Sequence, residues 1–122
     1  MKDIKSIQDN VNRFAEERDW DKFHSPKNLS MALSIEAAEL MEHFQWLTER
    51  ESYQLTPETY NQVKDEIADV QVYLARIADK LNIDILDAVT EKMVKNEKKY
   101  PIDKSYGSAR KYTEYQEKQK HD

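Results

Sequence analysis

Hydrophobic side chains recur every three or four residues along most of this 122-residue chain, which is the spacing of amphipathic α-helices. A first helix over roughly residues 3–17 is predicted by the apolar positions Ile4, Ile7, Val11 and Phe14. The periodicity then stops over residues 18–27, where Pro26 disfavours helix at the residue before it. We therefore expect a loop here, and it contains two large aromatic side chains, Trp20 and Phe23.

A second helix is predicted after this loop. Asn28 is a good N-cap residue, and the apolar positions on one face behind it are Leu29, Ala32, Leu33, Leu40, Phe44 and Leu47. At about 100° per residue, Glu36 falls in the middle of this apolar stripe and Glu39 at its edge, whereas Glu42 points towards solvent. A carboxylate within an apolar stripe is unusual, so Glu36 is a candidate functional residue.

The third predicted helix opens at Thr56-Pro57-Glu58, which supplies a cap, a first-turn proline and a first-turn acid. Its apolar positions alternate strictly by three and four, as in helices that pack along one another: Tyr60, Val63, Ile67, Val70, Leu74, Ile77 and Leu81. One flank of that seam carries a polar column of Glu66, Asp69 and Tyr73. A further apolar patch predicts cover by more than one neighbour: Ala68, Val72 and Ala75.

A fourth helix is predicted between Asp84 as its cap and Pro101 as its end. Its seam positions are Leu86, Val89, Met93, Asn96 and Tyr100. Beyond Ile102 aliphatic residues almost disappear, so we expect one helical domain over residues 1–102 and an extended or disordered charged tail over 103–122. The predicted fold is all-α and resembles a four-helix bundle.

Composition narrows the classes of function. One glycine and three prolines argue against β-sandwiches, barrels and glycine-rich nucleotide loops, and the lack of cysteine excludes disulfides, thiolate zinc sites and cysteine nucleophiles. A net charge of -5 disfavours binding to a nucleic-acid polymer. With no signal-peptide pattern and no apolar run of membrane-spanning length, we expect a soluble, unprocessed protein in the cytoplasm.

Two acidic pairs form the candidate chemical site, Glu36-x-x-Glu39 on the second helix and Glu66-x-x-Asp69 on the third. A spacing of three puts each pair on one helical face, and four carboxylates brought together repel one another unless a cation is present. Ligands that offer only oxygen favour Mg²⁺, with Mn²⁺ as a second choice, over zinc or copper. A ferritin-like di-iron site needs Glu-x-x-His, which this chain lacks. The simpler alternative is a pair of solvated faces in a chain with 24 acids.

These motifs resemble a known family. Glu36-Ala37-Ala38-Glu39-Leu40 and Asp65-Glu66-Ile67-Ala68-Asp69-Val70 are similar to the two acidic motifs of the all-α nucleotide pyrophosphohydrolases of the MazG type. Residues 18–24, 44–46, 92–101 and 107–114 are similar, in order, to its dCTP pyrophosphatase-like branch. The resemblance therefore covers nearly the whole chain.

The resemblance implies hydrolysis of a nucleoside triphosphate, with dCTP or a modified dCTP favoured, to the monophosphate and pyrophosphate. By position it implies Mg²⁺ ligands at Glu36, Glu39, Glu66 and Asp69, with Glu39 favoured as the carboxylate that orients or deprotonates water. It also implies phosphate and sugar contacts at Lys92, Asn96 and Tyr100, and a base pocket lined by Trp20, Phe23, His24, Trp46 and Tyr73. Animal members that hydrolyse dCTP carry histidine where this chain has Val11, so the reaction class is implied more directly than cytosine preference.

The sequence also predicts how the chain assembles, and it leaves one alternative function to weigh. The regular seam and the further patch of the third helix offer more apolar surface than its short neighbours need, which predicts a homo-oligomer. The resemblance implies a dimer or a tetramer, with the tetramer favoured. The alternative from another class is a helical adaptor or regulatory module that keeps the bundle without catalysis, but such a module predicts loss of the acidic quartet, which is intact here.

Overall fold

The computed structural model describes residues 1–108, and every regular element in this part of the chain is helical. The α-helices are α1 (Ile4–Glu17), α2 (Pro26–Glu42), α3 (Pro57–Lys80), α4 (Ile85–Lys99) and α5 (Ile102–Ser105). Short 3₁₀ turns lie at Asp21–Phe23 and Glu51–Tyr53. The all-α prediction is confirmed, while the part of the predicted tail from residue 109 onward lies outside the described residues.

Side-chain caps fix where the helices begin. Asp3 and Ser6 form a reciprocal capping box at the start of α1, and the Thr56 hydroxyl accepts a hydrogen bond from the Thr59 N–H at the start of α3. The predicted cap of α2 at Asn28 is wrong, because Ser25 caps this helix by accepting from the Asn28 N–H at 3.1 Å. Pro26 explains the difference: it lacks an N–H, suits the first helical position and holds Ser25 in extended backbone.

The second helix is also shorter than its apolar spacing predicts. It ends at Glu42, and the segment from His43 to Trp46 forms turns whose N–H groups reach back to Leu40 and Met41. Phe44 and Leu47 remain half-buried beyond the helix end. An apolar spacing of three or four residues fits tight turns as well as helix. The spacing of Phe44 and Leu47 therefore could not show that α2 ends at Glu42.

A left-handed residue ends α1 and positions the aromatic loop. Asp19 has φ 55°, and the Trp20 N–H then donates to the carbonyl oxygen of Ala15 at 3.0 Å. This is the Schellman arrangement, which is commonly accompanied by an apolar contact across the helix end. Here the contact is aromatic, since the rings of Phe14 and Trp20 meet edge to face with centroids 5.6 Å apart. The end of α1 therefore fixes the place of Trp20.

The third helix lies at the centre of the packing. α3 packs against both α2 and α1, which confirms the expectation of more than one neighbour. The apolar residues buried in this core are Ala15, Leu29, Val63, Ala75 and Ala78. Three of the five are alanines, and this allows the helix backbones to approach closely.

Much of the predicted seam of α3 is not covered within the chain. Val63 is buried, but Tyr60, Leu74 and Leu81 are exposed and Ile67 exposes 55% of its surface. Within the single chain the seam is therefore only partly covered, as expected if α3 has more apolar surface than its neighbouring helices need. The apolar surface of α3 is wider than the face that α1 and α2 occupy.

The chain divides into two compact units, Met1–Ile85 and a second that begins at Leu86. The first unit contains α1, α2 and α3, and the second contains the rest of α4 together with α5. The predicted domain over residues 1–102 thus spans parts of both units. Ile102–Ser105 forms a helical turn after Pro101, at the start of the segment predicted to be an extended or disordered tail. Among residues 1–108, no helix combines the length and apolar character needed to cross a bilayer.

Leu29 tests the packing of α2 into the core, because only 1% of its surface is exposed. Leu29→Ala should lower the free energy of unfolding by about 2–5 kcal/mol through lost burial and the cavity left behind. Lys27→Ala, at an exposed position on the same helix, should change it by no more than about 0.5 kcal/mol. Urea denaturation followed by circular dichroism measures both, and equal losses in the two variants would contradict the packing described here.

Candidate functional site

Three carboxylates meet where α2 packs against α3. Glu36 and Glu39 lie one turn apart on α2, and Glu66 lies on α3. One oxygen from each of the three can be chosen so that all lie within 4.8 Å of one another, and all three residues are only partly exposed. The structure therefore brings together three of the four predicted acids in one cluster, which we call the carboxylate cluster.

The fourth acid, Asp69, lies one turn beyond Glu66 on α3. It is exposed, but its negative charge acts on Glu36 and helps raise the pKa of that carboxyl group. It also lines the same cavity as Glu36. Asp69 therefore belongs to the surroundings of the carboxylate cluster.

Glu36 has the most perturbed electrostatics of the cluster. Burial, together with hydrogen bonding to Glu66 and the nearby charge of Glu39, raises the pKa of Glu36 to about 7 from an ordinary value of 4.5. Each of these causes disfavours the charged form, either by removing water or by adding neighbouring negative charge. At neutral pH the cluster consequently retains a proton or needs a cation.

The cluster also contains acceptors without donors. Among the described residues, no hydrogen-bond donor reaches the buried oxygens Oε2 of Glu36 and Oε2 of Glu66. His43 Nε2 lies 4.0 Å from Glu66 Oε1, which is beyond hydrogen-bond length. Buried carboxylate oxygens that lack donors suit a hard divalent cation, for which carboxylates are the preferred ligands.

A cavity of about 560 Å³ adjoins the cluster within the first unit. Glu36 and Asp69 lie on its wall, and so do three of the predicted base-pocket residues, Trp20, His24 and Tyr73. The helix α1 supplies Asn10, Val11, Phe14 and Ala15. The volume lies within the range of small-molecule sites, which combine apolar walls with a few polar groups. Acidic and aromatic side chains therefore face one cavity.

Arg76 also lines this cavity and connects the segments that form its wall. Its side chain is only 2% exposed, and its guanidinium donates to four side chains: His24 Nδ1 at 3.1 Å, Asn12 Oδ1 at 2.9 Å, Asp79 Oδ2 at 3.2 Å and Asp21 Oδ1 at 2.8 Å. Lys80 Nζ adds a second contact of 2.6 Å to Asp21 Oδ1. These bonds to Lys80 and Arg76 hold the pKa of Asp21 below its usual range. The bonds from Arg76 and Lys80 to Asp21 and His24 therefore attach the loop between α1 and α2 to α3.

Other predicted site residues lie elsewhere. Phe23 and Trp46 are not on this cavity wall, and they expose 60% and 88% of their surfaces. Lys92, Asn96 and Tyr100 lie in the second unit, where Asn96 Nδ2 is 3.8 Å from Met93 Sδ. The roles of all five in nucleotide binding stay predictions.

Arg76 and His43 carry no predicted role in the sequence. A signal for Arg76 was nevertheless present, since the column Glu66, Asp69 and Tyr73 continues by one further step of three to Arg76. A cation at that step, beside the buried Ala75 and Ala78, indicates a paired charge rather than a solvated one. His43 offered no comparable pattern.

The raised pKa of Glu36 predicts a pH-dependent stability in protein freed of divalent ions. Since the folded pKa exceeds the unfolded one, this carboxyl's contribution is fully present below the unfolded value and is lost as the pH rises through about 7. The melting temperature of the wild type should therefore fall relative to that of Glu36→Gln between about pH 5 and about pH 8. Thermal melts with a chelator measure this difference. Glu42→Gln, at an exposed site on α2, is the control and should show no such trend, and a pH-independent difference for Glu36→Gln would refute the assignment.

This chain is similar to known proteins in sequence and in fold. The model of the MazG-like family matches residues 31–115, which include all members of the carboxylate cluster. Mouse dCTP pyrophosphatase 1 is 42% identical over 103 residues, covering 83% of this chain and 61% of that protein, and the human protein of the same name gives the same values. The chain thus spans less than two thirds of the length of these curated relatives.

A solved structure extends the likeness to the fold. The crystal structure of a pyrophosphatase from Archaeoglobus fulgidus superimposes with a TM-score of 0.74 at 42% sequence identity. The match covers 80% of this chain and 91% of the archaeal one. Because the family match, the curated relatives and the solved structure agree, the chain belongs to the MazG-like family.

Proposed function

We propose that this protein hydrolyses a deoxynucleoside triphosphate, dCTP or a modified dCTP, to the monophosphate and pyrophosphate in a reaction that depends on Mg²⁺. The observation that carries this proposal is that the acids Glu36 and Asp69 share one cavity with the aromatic residues Trp20 and Tyr73. A nucleotide needs both kinds of wall, one for its phosphates and one for its base. The names of the relatives, dCTP pyrophosphatase 1 and pyrophosphatase, support the reaction class.

The carboxylate cluster fits the proposed metal. Glu36, Glu39 and Glu66 would hold Mg²⁺, with Asp69 as a further ligand, and the two buried oxygens without donors are the evidence from this structure. When bound, the ion would supply charge that neutralises the phosphates and stabilises the negative charge developing during phosphoryl transfer. Mn²⁺ also prefers carboxylate oxygen ligands.

The protein's own part in the reaction is to orient water and bind the two ends of the nucleotide. A water oxygen forms a bond to the α-phosphorus while the bond to the bridging oxygen breaks, so pyrophosphate leaves with the electron pair of that bond. Glu39 accepts the proton of the water, since it lies within the cluster but at the edge of the apolar face of α2. The proton leaves water as the new bond to phosphorus forms.

The base would lie against the aromatic part of the cavity. Flat side chains such as Trp20 and Tyr73 stack on any nucleobase, and a polar edge such as His24 adds selection among bases. Val11 lies on the same wall, so an aliphatic side chain contributes shape here without a hydrogen bond. Lys92, Asn96 and Tyr100 are proposed to contact the phosphates and sugar on the evidence of the sequence resemblance.

We also propose that the protein works as a homo-oligomer, with a tetramer favoured. The support is the apolar surface of α3 that neither α1 nor α2 covers, with Ile67 55% exposed. Exposed apolar stripes of this regularity commonly mark subunit contacts. A second copy would also give the exposed Phe23 and Trp46 a surface to pack against.

Loss of a cluster carboxylate should abolish the reaction without unfolding the protein. Glu66→Ala and Glu36→Gln should each lower turnover by about a hundredfold or more, because the acids act as a unit around the metal. Glu42→Gln is the matched control on α2 and should retain wild-type turnover. Pyrophosphate release from each deoxynucleoside triphosphate, with and without Mg²⁺, measures activity, and circular dichroism monitors folding.

Metal binding provides a readout separate from turnover. Mg²⁺ should raise the melting temperature of the wild type more than that of Glu66→Ala or Glu36→Gln. Full activity in both folded variants, or activity in wild type that persists in excess chelator, would contradict the proposed site. A wild type that binds Mg²⁺ but hydrolyses no triphosphate would instead favour a regulatory module.

The oligomer has its own test. Light scattering at micromolar concentration should give a mass well above the 14.5 kDa of one chain, and Ile67→Glu should shift the protein towards the monomer, because a charge cannot be buried unpaired in an apolar contact. Lys64→Glu, an exposed substitution on the same helix, should leave the mass unchanged. A monomeric wild type would refute the proposal.

A further inference from the structure

His24 has a fixed arrangement of donor and acceptor nitrogens. Arg76 Nε donates to its Nδ1 at 3.1 Å. An arginine side chain carries only donors, so Nδ1 must be the unprotonated, accepting nitrogen of the ring. The proton of the neutral imidazole is then on Nε2, and a ring flip would bring a C–H group against the guanidinium in place of Nδ1.

The surroundings keep this ring neutral and leave its donor available. Burial, reinforced by the positive charges of Arg76 and Lys80, lowers the pKa of His24, while Asp21 acts in the opposite direction. No residue of the described part of the chain forms a hydrogen bond with Nε2. His24 lies on the wall of the cavity that also contains Trp20 and Tyr73, so a ligand in that cavity meets a ring with one predetermined donor.

Three further hydrogen bonds hold the guanidinium of Arg76 in the orientation that places its Nε–H against His24. Its remaining bonds go to Asn12 on α1, to Asp79 on its own helix and to Asp21 in the loop. All of these partners accept, and each removes a possible competing orientation of the planar group. The Nε–H bond to His24 is therefore set by α1, α3 and the loop together.

We infer that Arg76 is a positioning residue that fixes His24 as an Nε2–H donor, and that this donor selects a nucleobase edge carrying a hydrogen-bond acceptor. The inference rests on the proposed function for the identity of the ligand. A carbonyl oxygen or an unprotonated ring nitrogen fits such a donor. An amino group placed at the same point presents a donor to a donor and is disfavoured.

The state of His24 can be measured in the free protein. In the full chain labelled with ¹⁵N-histidine, long-range ¹H–¹⁵N correlation at neutral pH should show His24 as a single neutral Nε2–H tautomer. The chain has three histidines, and His24→Gln assigns the signal by its disappearance. A His24 that is protonated on Nδ1, or on both nitrogens, would overturn the inference whatever the activity.

Substitution of Arg76 tests the positioning role. Arg76→Lys keeps the positive charge but lacks the planar group that bonds four partners at once. We expect a mixture of His24 tautomers, an increase in KM of about three- to tenfold for the preferred triphosphate, the range of one neutral hydrogen bond, and reduced discrimination among the four deoxynucleotides. The value of kcat should change less than KM. Arg13→Lys, the same exchange at an exposed position on α1, is the control and should keep the single tautomer and the base preference.

If Arg76→Lys fails to fold, two variants of His24 test the donor role directly. His24→Gln keeps an N–H donor near the place of Nε2, whereas His24→Phe keeps only a flat ring. Base discrimination should survive better in the glutamine variant, and better retention in the phenylalanine variant would overturn the donor role. Failure of the wild type to hydrolyse any triphosphate would defeat the proposed function, while the tautomer measured by NMR would still stand or fall separately.

Discussion

The buried guanidinium of Arg76 is the constraint on which the first unit depends. An arginine that is 2% exposed would cost several kcal/mol if its donors lacked partners, so the surrounding chain must supply acceptors. They come from α1 through Asn12, from α3 through Asp79, and from the loop through Asp21 and His24. The aromatic side chains of the loop between α1 and α2, Trp20 and Phe23, stay 44% and 60% exposed, so the loop gains its fixed position from polar bonds instead.

The same face of α3 carries two opposite electrostatic environments within three turns. In one part the cation of Arg76 is matched by acceptors. In the other the carboxylates of Glu36 and Glu66 crowd together, and each has a buried Oε2 that no donor from residues 1–108 reaches. The first environment stabilises the fold, and the second is strained in the absence of a cation, as the raised pKa of Glu36 shows. Stabilisation of the fold and the proposed binding of a metal ion thus fall on different turns of one helix, which also supplies Tyr73 between them.

Much of the fold and part of the site followed from the sequence, for identifiable physical reasons. The period of α3 and the cap at Thr56 are local signals, so that helix was predicted to begin where it does. The end of α2 was not, because tight turns after Glu42 preserve apolar spacing. Convergence of Glu36 with Glu66 was predictable from paired spacings on adjacent helices, but the acceptors of Arg76 come from three separate segments, and spacing within one segment cannot reveal a contact of that kind.

The Schellman end of α1 has a consequence for how this cavity can change. The Trp20 N–H donates to the carbonyl oxygen of Ala15, so the last turn of α1 fixes the direction in which the Trp20 side chain points. The same helix supplies Phe14 to the cavity wall. One residue inserted between these points would rotate the tryptophan by about 100° about the helix axis. An insertion in this stretch would therefore move Trp20 relative to Phe14, whereas a substitution on the wall changes the cavity without moving it. The end of α1 thus sets the distance between Phe14 and Trp20 through the backbone, independently of the side chains that line the rest of the cavity.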